Sequence, residues 1–323
     1  MSGNRWARVR RILWRVSGAA VMVAVAVAIW TAMRGQDWSE AAAFADAEHL
    51  PLIAVSGAVN VVGLGLAMLS WHALADGGRS RVALPEAAKI YFAGMLVKYL
   101  PGRLWTLLVN LRMGAGAGIP ASRMTGVYFL NIVVMVATGM LVGLLAARTA
   151  FGDRWAWVAA ASLPALVLFA RPQLVEVAMR LVCRLFRRSP VELDYGPGSI
   201  RRALGLQTGS WIVGGHHLWA LVVAAGADPL ESYALCVGLF GLATVVGALV
   251  LIVPDGLGVR EGILTATLTL VVPLPMAAAV AITSRVVATV CELLAALAVY
   301  LWAARSAASS SASAYDSKVD SME

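Results

Sequence analysis

Apolar positions in this chain fall in long unbroken blocks, not in the alternation of a half-buried strand. Residues 16–33, 50–75, 121–147, 155–170, 203–226 and 276–303 form the clearest blocks. Each approaches or exceeds the roughly 20 residues that a helix rising about 1.5 Å per residue needs to cross a hydrocarbon layer about 30 Å thick. The pattern predicts an all-α, polytopic integral membrane protein with about six full spans. Two further apolar stretches are interrupted. Residues 86–118 break at Pro101-Gly102, and residues 231–272 break at Pro254-Asp255-Gly256-Leu257-Gly258. Proline removes a backbone donor and glycine loosens the chain, so helices are expected to end at both places.

Composition strengthens this reading. The chain of 323 residues is 60% hydrophobic and 14% charged, with a mean hydropathy of +0.78, whereas soluble domains carry about 25% charge. A separate soluble catalytic domain is therefore not expected. Cys183, Cys236 and Cys291 are scattered through or beside the apolar blocks and offer neither a disulfide framework nor a metal spacing. They read as small apolar packing residues.

Charge placement predicts the orientation. Arg5, Arg8, Arg10, Arg11 and Arg15 place residues 1–15 in the cytoplasm, and the first block is read as a retained span rather than a cleaved signal. The acidic loop with Asp37, Glu40, Asp46 and Glu48 suits the outside. The basic segment 171–202 should again be cytoplasmic. Counting residues 86–118 as a single crossing would put that basic segment outside. The conflict vanishes if residues 86–118 and 231–272 are re-entrant hairpins, a backbone geometry tolerated at membrane depth only where protein or a wet cavity surrounds it.

Each half then reads span, span, hairpin, span, over residues 16–147 and 155–303, with Pro120 and Pro275 opening the last span of each. An odd number of crossings per half makes the second copy inverted. Interrupted segments at matching positions of inverted halves point to a transporter's binding site near the midplane. The domain organisation is thus a basic N-terminus (1–15), one transmembrane domain (16–305) and a Ser/Ala-rich tail (306–323) read as disordered and cytoplasmic.

Polar residues gather at the breaks. Lys98 and Arg103 bracket Pro101-Gly102, Arg112 follows, and Asp255, Arg260 and Glu261 surround the second break. Arg285 and Glu292, two helical turns apart on the last block, share a face and could reach the second hairpin. Charges at such depth are costly unless paired or hydrated, so they are functional candidates. Half-helix N-termini with Lys98, Arg103 and Arg260 make a seat for a phosphate. The structural alternative is that Arg260, Glu261, Arg285 and Glu292 pair only to hold helices together.

The strings Lys98-Tyr99-Leu100-Pro101-Gly102-Arg103-Leu104-Trp105 and Val253-Pro254-Asp255-Gly256-Leu257-Gly258-Val259-Arg260-Glu261-Gly262 resemble the two signature stretches of the lysylphosphatidylglycerol synthase transmembrane, flippase-like family. The resemblance covers about residues 16–303, and Asp255 stands where the family pattern has glycine. It implies movement of lipids or lipid-linked intermediates between leaflets. Members that also synthesise aminoacyl-phosphatidylglycerol carry an extra soluble transferase domain, which is not expected here.

Other features fit a membrane setting. His216 and His217 diverge by about 100° on a helix and cannot chelate one ion together, so they read as packing or cavity-lining residues. The basic 180–188 segment has the pattern of an interfacial amphipathic helix. A net charge of +8 is dispersed over cytoplasmic loops, which argues against nucleic acid as a partner. Trp14, Trp30, Trp38, Trp71, Trp105, Trp155 and Trp157 fall near span ends and read as an aromatic belt. No Walker loop, nucleophile elbow or HExxH pair is visible, and no cofactor or metal is expected. The leading expectation is a non-enzymatic lipid translocase of a bacterial inner membrane, acting on an anionic phospholipid or polyprenyl-linked phosphate. The alternatives are a non-transporting scaffold for a membrane-bound glycosyltransferase or lipid synthase, and an intramembrane enzyme acting on a lipid phosphate.

Overall fold

The computed structural model describes residues 39, 44, 46, 48–77, 82–99, 104–174, 177, 196–250 and 254–320, the last stretch partly as backbone alone. Residues 1–38, which include the first expected span, residues 100–103 with Pro101, Gly102 and Arg103, and the basic 180–188 segment lie outside the described residues. Among the described residues every regular element is helical: α1 (Leu50–Ala75), α2 (Leu84–Leu96), α3 (Leu104–Gly116), α4 (Ala121–Phe151), α5 (Trp155–Ala170), α6 (Pro197–Ala224), α7 (Pro229–Leu249), α8 (Val259–Leu268) and α9 (Leu274–Asp320). Short 3-10 turns occupy Val97–Tyr99, Gly152–Arg154 and Pro254–Gly256.

Helix starts follow local chemistry. Pro85, Pro197 and Pro229 stand in first turns, where the missing N–H costs nothing. Asp228 caps α7, its carboxylate accepting from the backbone N–H of Leu230 and of Glu231 at 2.9 Å each.

Among the described residues four stretches are long and apolar enough to cross a membrane: α1, the Ala121–Ala170 stretch that holds α4 and α5, α7, and α9 as far as Ala303. Within that stretch α4 and α5 remain two helices: the turn at Gly152–Arg154, with Gly152 at φ 52°, folds α5 back on α4, and Ser162 Oγ donates to Met140 O at 2.8 Å. The 28 residues of α6 rise about 42 Å, but Arg201, Arg202, Gln207, His216 and His217 dilute its apolar character, and it is not among the four. α7 differs from the expected half-helix arm, since its 21 residues rise about 31 Å. By contrast α2 and α3, of 13 residues each, rise about 20 Å, and α8, of 10 residues, about 15 Å, short of the ~30 Å hydrocarbon layer. The helix α9 continues to Asp320 through the Ser/Ala-rich tail expected to be disordered. Extending an existing helix through alanines requires no new nucleus.

The centre of the bundle is the α1–α6 pair. A Cβ on Gly63 would sit 3.3 Å from Gly214 Cα, so glycine lets the two backbones approach closely. Ser210 Oγ donates to Gly63 O at 2.8 Å, and Ser70 Oγ to Ala203 O at 2.9 Å. Around this pair the helices pack reciprocally: α4 lies on α7, and α9 lies on α2. The outward faces of α1 and α9 carry exposed Val55, Val61, Val62, Leu293, Leu294 and Leu297, as lipid-facing surfaces do. The protein is a multi-pass, all-helical membrane protein.

Candidate functional site

The turns beside the two expected breaks, Val97–Tyr99 and Pro254–Gly256, lie against each other. In the first, α2 tightens into the Val97–Tyr99 turn, which carries Lys98. In the second, the Pro254–Gly256 turn places Asp255 at φ 47°, ψ 30°, a left-handed conformation that aspartate tolerates better than most residues. Gly256 follows at φ 65°, and a Cβ there would lie 2.7 Å from the backbone of Gly247, so the approach of this turn to α7 requires glycine. The backbone N–H of Gly258 donates to Glu261 Oε2 at 2.6 Å, satisfying an N-terminal donor of α8. The two turns are in contact.

Where they meet, α9 supplies the counter-charges. Lys98 Nζ lies 2.6 Å from Glu292 Oε1 and 3.2 Å from Asp255 Oδ2. Tyr99 Oη donates to Glu292 Oε2. Arg285 Nη2 lies 3.0 Å from Asp255 Oδ2, and its Nη1 lies 3.7 Å from Glu261 Oε1. Asp255 therefore bridges Lys98 and Arg285 and links both breaks to α9.

Arg260 is different. It is 7% exposed, and no carboxylate of the described residues forms an ion pair with it. Its Nη2 makes one long contact, 3.4 Å to Ser284 Oγ, and its Nε has no hydrogen-bond partner. The guanidinium stacks 5.1 Å from the Phe240 ring centroid. Ser284 continues a buried chain inward: His217 Nε2 lies 2.9 Å from Ser284 Oγ, and His217 Nδ1 lies 2.5 Å from Ser56 Oγ. Asp255 and Glu292 are engaged by Lys98 and Arg285, and Glu261 accepts from Gly258 N–H while its Oε1 has no hydrogen-bond partner, so among the described residues no carboxylate forms a direct ion pair with Arg260.

A cavity of about 290 Å³ opens beside this cluster. Lys98, Asp255, Arg260 and Glu292 line one part of it. Asn60, Asn110, Asn131 and Gln207, from α1, α3, α4 and α6, also line it. Trp71, Tyr91, Trp211 and Phe240 supply aromatic wall. The volume is near the lower end of the ~300–1,000 Å³ range of ligand pockets, enough for a headgroup and not for lipid tails.

The structure thus brings together Lys98, Asp255, Arg260, Glu261, Arg285 and Glu292, with Pro254, Gly256 and Gly258 shaping the second turn. Arg103, Pro101 and Gly102 fall outside the described residues. Arg112 does not join the site: it is exposed, because Asn110 and Gly114 form the buried face of α3 and a residue two positions from Asn110 points about 200° away. Glu292 reaches the first break rather than the second. Trp71, read as part of a belt, is 2% exposed and lines the cavity, whereas Trp105, Trp155 and Trp157 are exposed. His217 is a buried packing residue, and His216 contacts Tyr233. Cys236 and Cys291 are buried, and Cys183 lies outside the described residues. The amides went unremarked in the sequence, although Asn60 within an otherwise apolar span was itself a signal.

Two interrupted helical segments meeting beside a cavity lined by charged, amide and aromatic residues, inside a multi-pass bundle, define a membrane protein with a candidate internal site. The chain belongs to the lysylphosphatidylglycerol synthase TM region family, whose model matches residues 16–296. No curated protein matches it.

Proposed function

We propose that the protein is a lipid translocase of a bacterial inner membrane, with cytoplasmic termini, which moves an anionic phospholipid or polyprenyl-linked phosphate between leaflets. The phosphate sits at Arg260, the rest of the headgroup fills the cavity, and the tails stay in lipid. The observation that carries this reading is a buried arginine with no ion-pair partner among the described residues, lining a cavity beside the Val97–Tyr99 and Pro254–Gly256 turns. A buried unpaired cation is costly, and a phosphate oxygen is the partner that guanidinium geometry suits.

The inverted repeat gains support from the reciprocal packing, since the last helix of each half lies on the first arm of the other half's interrupted segment. Re-entry gains support from the short α2, α3 and α8. The full length of α7 makes the second hairpin unequal, with one long arm and one short. Rocking of the halves about α1 and α6 would expose Arg260 to each leaflet in turn.

Reconstituted protein should speed the loss of leaflet asymmetry of fluorescent phosphatidylglycerol, and Arg260→Gln should slow it about tenfold or more. Rates equal to those of empty vesicles across phospholipids and polyprenyl phosphates would refute translocation. A second reading, a non-transporting scaffold for a lipid-modifying enzyme, draws on the internal pairing of Lys98 and Arg285, which could serve as a structural lock. Its mark would be a stoichiometric co-purifying partner and full function after Arg260→Gln.

A further inference from the structure

We infer that the cavity selects a headgroup that is uncharged and polyhydroxylated, a sugar or sugar-like polyol esterified to the lipid phosphate. This rests on the translocase reading for the position of the phosphate, but the recognition chemistry is carried by different residues. Four side-chain amides, Asn60, Asn110, Asn131 and Gln207, converge on one cavity from four helices. Asn60 is 5% exposed and Asn110 3% exposed, and the Oδ1 of each has no hydrogen-bond partner among the described residues. A buried acceptor left unmatched costs free energy; as placed, both oxygens are themselves buried, and Asn110 Oδ1 is turned toward Gly94. An amide also presents N–H donors, and the two ends exchange by a half-turn of the side chain. A hydroxyl, which both donates and accepts, satisfies either arrangement. A phosphate or ester oxygen satisfies only one.

The remaining wall narrows the class. Trp71 and Trp211 line the same space, and flat apolar rings suit the C–H face of a sugar or cyclitol ring better than an extended charged chain. A cationic headgroup is disfavoured by the charge distribution. Glu292 and Asp255, the carboxylates lining the cavity, are already engaged by Lys98 and Arg285, so an added ammonium would find no free carboxylate there and would lie beside Arg260. Gly94 makes room for this recognition: a Cβ at that position would collide with Asn110 Oδ1. Thr106 Oγ1 donates to Gly94 O at 3.0 Å, holding α3 against α2 so that Asn110 faces the cavity.

The test uses the full chain in vesicles carrying acyl-labelled phosphatidylinositol, phosphatidylethanolamine or phosphatidic acid, with leaflet exchange read by quenching. The same lipids are scored in parallel for retention by the purified protein in native mass spectrometry. Phosphatidylinositol should exchange and be retained about tenfold better than phosphatidylethanolamine. The Asn60→Leu/Asn110→Leu variant should lose about tenfold for phosphatidylinositol while changing less than twofold for phosphatidic acid. That ratio within one preparation is insensitive to partial misfolding, and Asn60→Gln supplies a milder variant. Selective retention without exchange of any lipid would sink the translocase reading and uphold the selectivity. Equal exchange and retention of the three lipids by the wild type, or a ratio unmoved in both amide variants, would overturn the selectivity even if exchange is fast.

Discussion

Replacing Asp255 separates two roles that this residue combines, backbone geometry and charge. Its carboxylate lies 3.2 Å from Lys98 Nζ and 3.0 Å from Arg285 Nη2. Removing one partner from a buried ion pair costs about 3–5 kcal/mol. Here the Asp255 side chain is 24% exposed, Lys98 keeps Glu292 at 2.6 Å, and Arg285 keeps Glu261 at 3.7 Å. The expected loss for Asp255→Asn is therefore reduced to about 1–3 kcal/mol. Asparagine tolerates φ near 47° as aspartate does, so this variant isolates the charge. Asp255→Ala adds a left-handed backbone penalty of about 1–2 kcal/mol. Asp255→Gly loses the charge but relaxes the turn. Thermal unfolding in detergent, followed by intrinsic fluorescence, should place the alanine variant lowest and the wild type highest. The asparagine variant should fall by about 2–12 °C, at roughly 2–4 °C per kcal/mol. An asparagine variant that melts with the wild type, or an alanine variant no worse than asparagine, would refute this division of roles.

Further substitutions probe other contacts. Gly256→Ala meets both a φ of 65° and the Gly247 backbone at 2.7 Å, so it should destabilise more than Gly262→Ala, whose Cβ would meet open space; expression and melting temperature compare the two. Lys98→Met and Glu292→Gln should each destabilise, and their double variant should lose less than the sum, with a coupling of about 0.5–3 kcal/mol in a thermal or denaturant cycle; strict additivity would mean that the 2.6 Å pair contributes nothing. Arg112→Gln, on the exposed face of α3, should leave both stability and lipid exchange within error of the wild type, since Arg112 is exposed and does not line the cavity.

The membrane class and most span positions were legible because a hydrocarbon layer demands about 20 apolar residues in a row, a one-dimensional signal. The second break was legible for the same kind of reason: Pro254 through Gly258 interrupts the helix locally, whatever the surroundings. Which charge meets which was not. Glu292 and Arg285 lie on one face, yet Glu292 turns to Lys98, 194 positions away in the chain, because α9 packs on α2 as well as on α8. Counting Lys98, Arg103 and Arg260 as equivalent cations also missed the carboxylates that occupy Lys98. Only the three-dimensional arrangement sets Arg260 apart. The helix phase of α3 put Arg112 on the wrong side, a distinction that required knowing that Asn110 and Gly114 face inward.

The measurement that bears most directly on the central claim is a cross-linking map with an anionic lipid carrying a photoactivatable group on its headgroup, in vesicles containing the full chain. Adducts on cavity residues such as Met95 and Met135, competed by unlabelled lipid and lost in Arg260→Gln, are the expected result. Adducts confined to outward residues such as Leu293 and Leu297, unchanged in that variant, would contradict passage of the headgroup through the cavity.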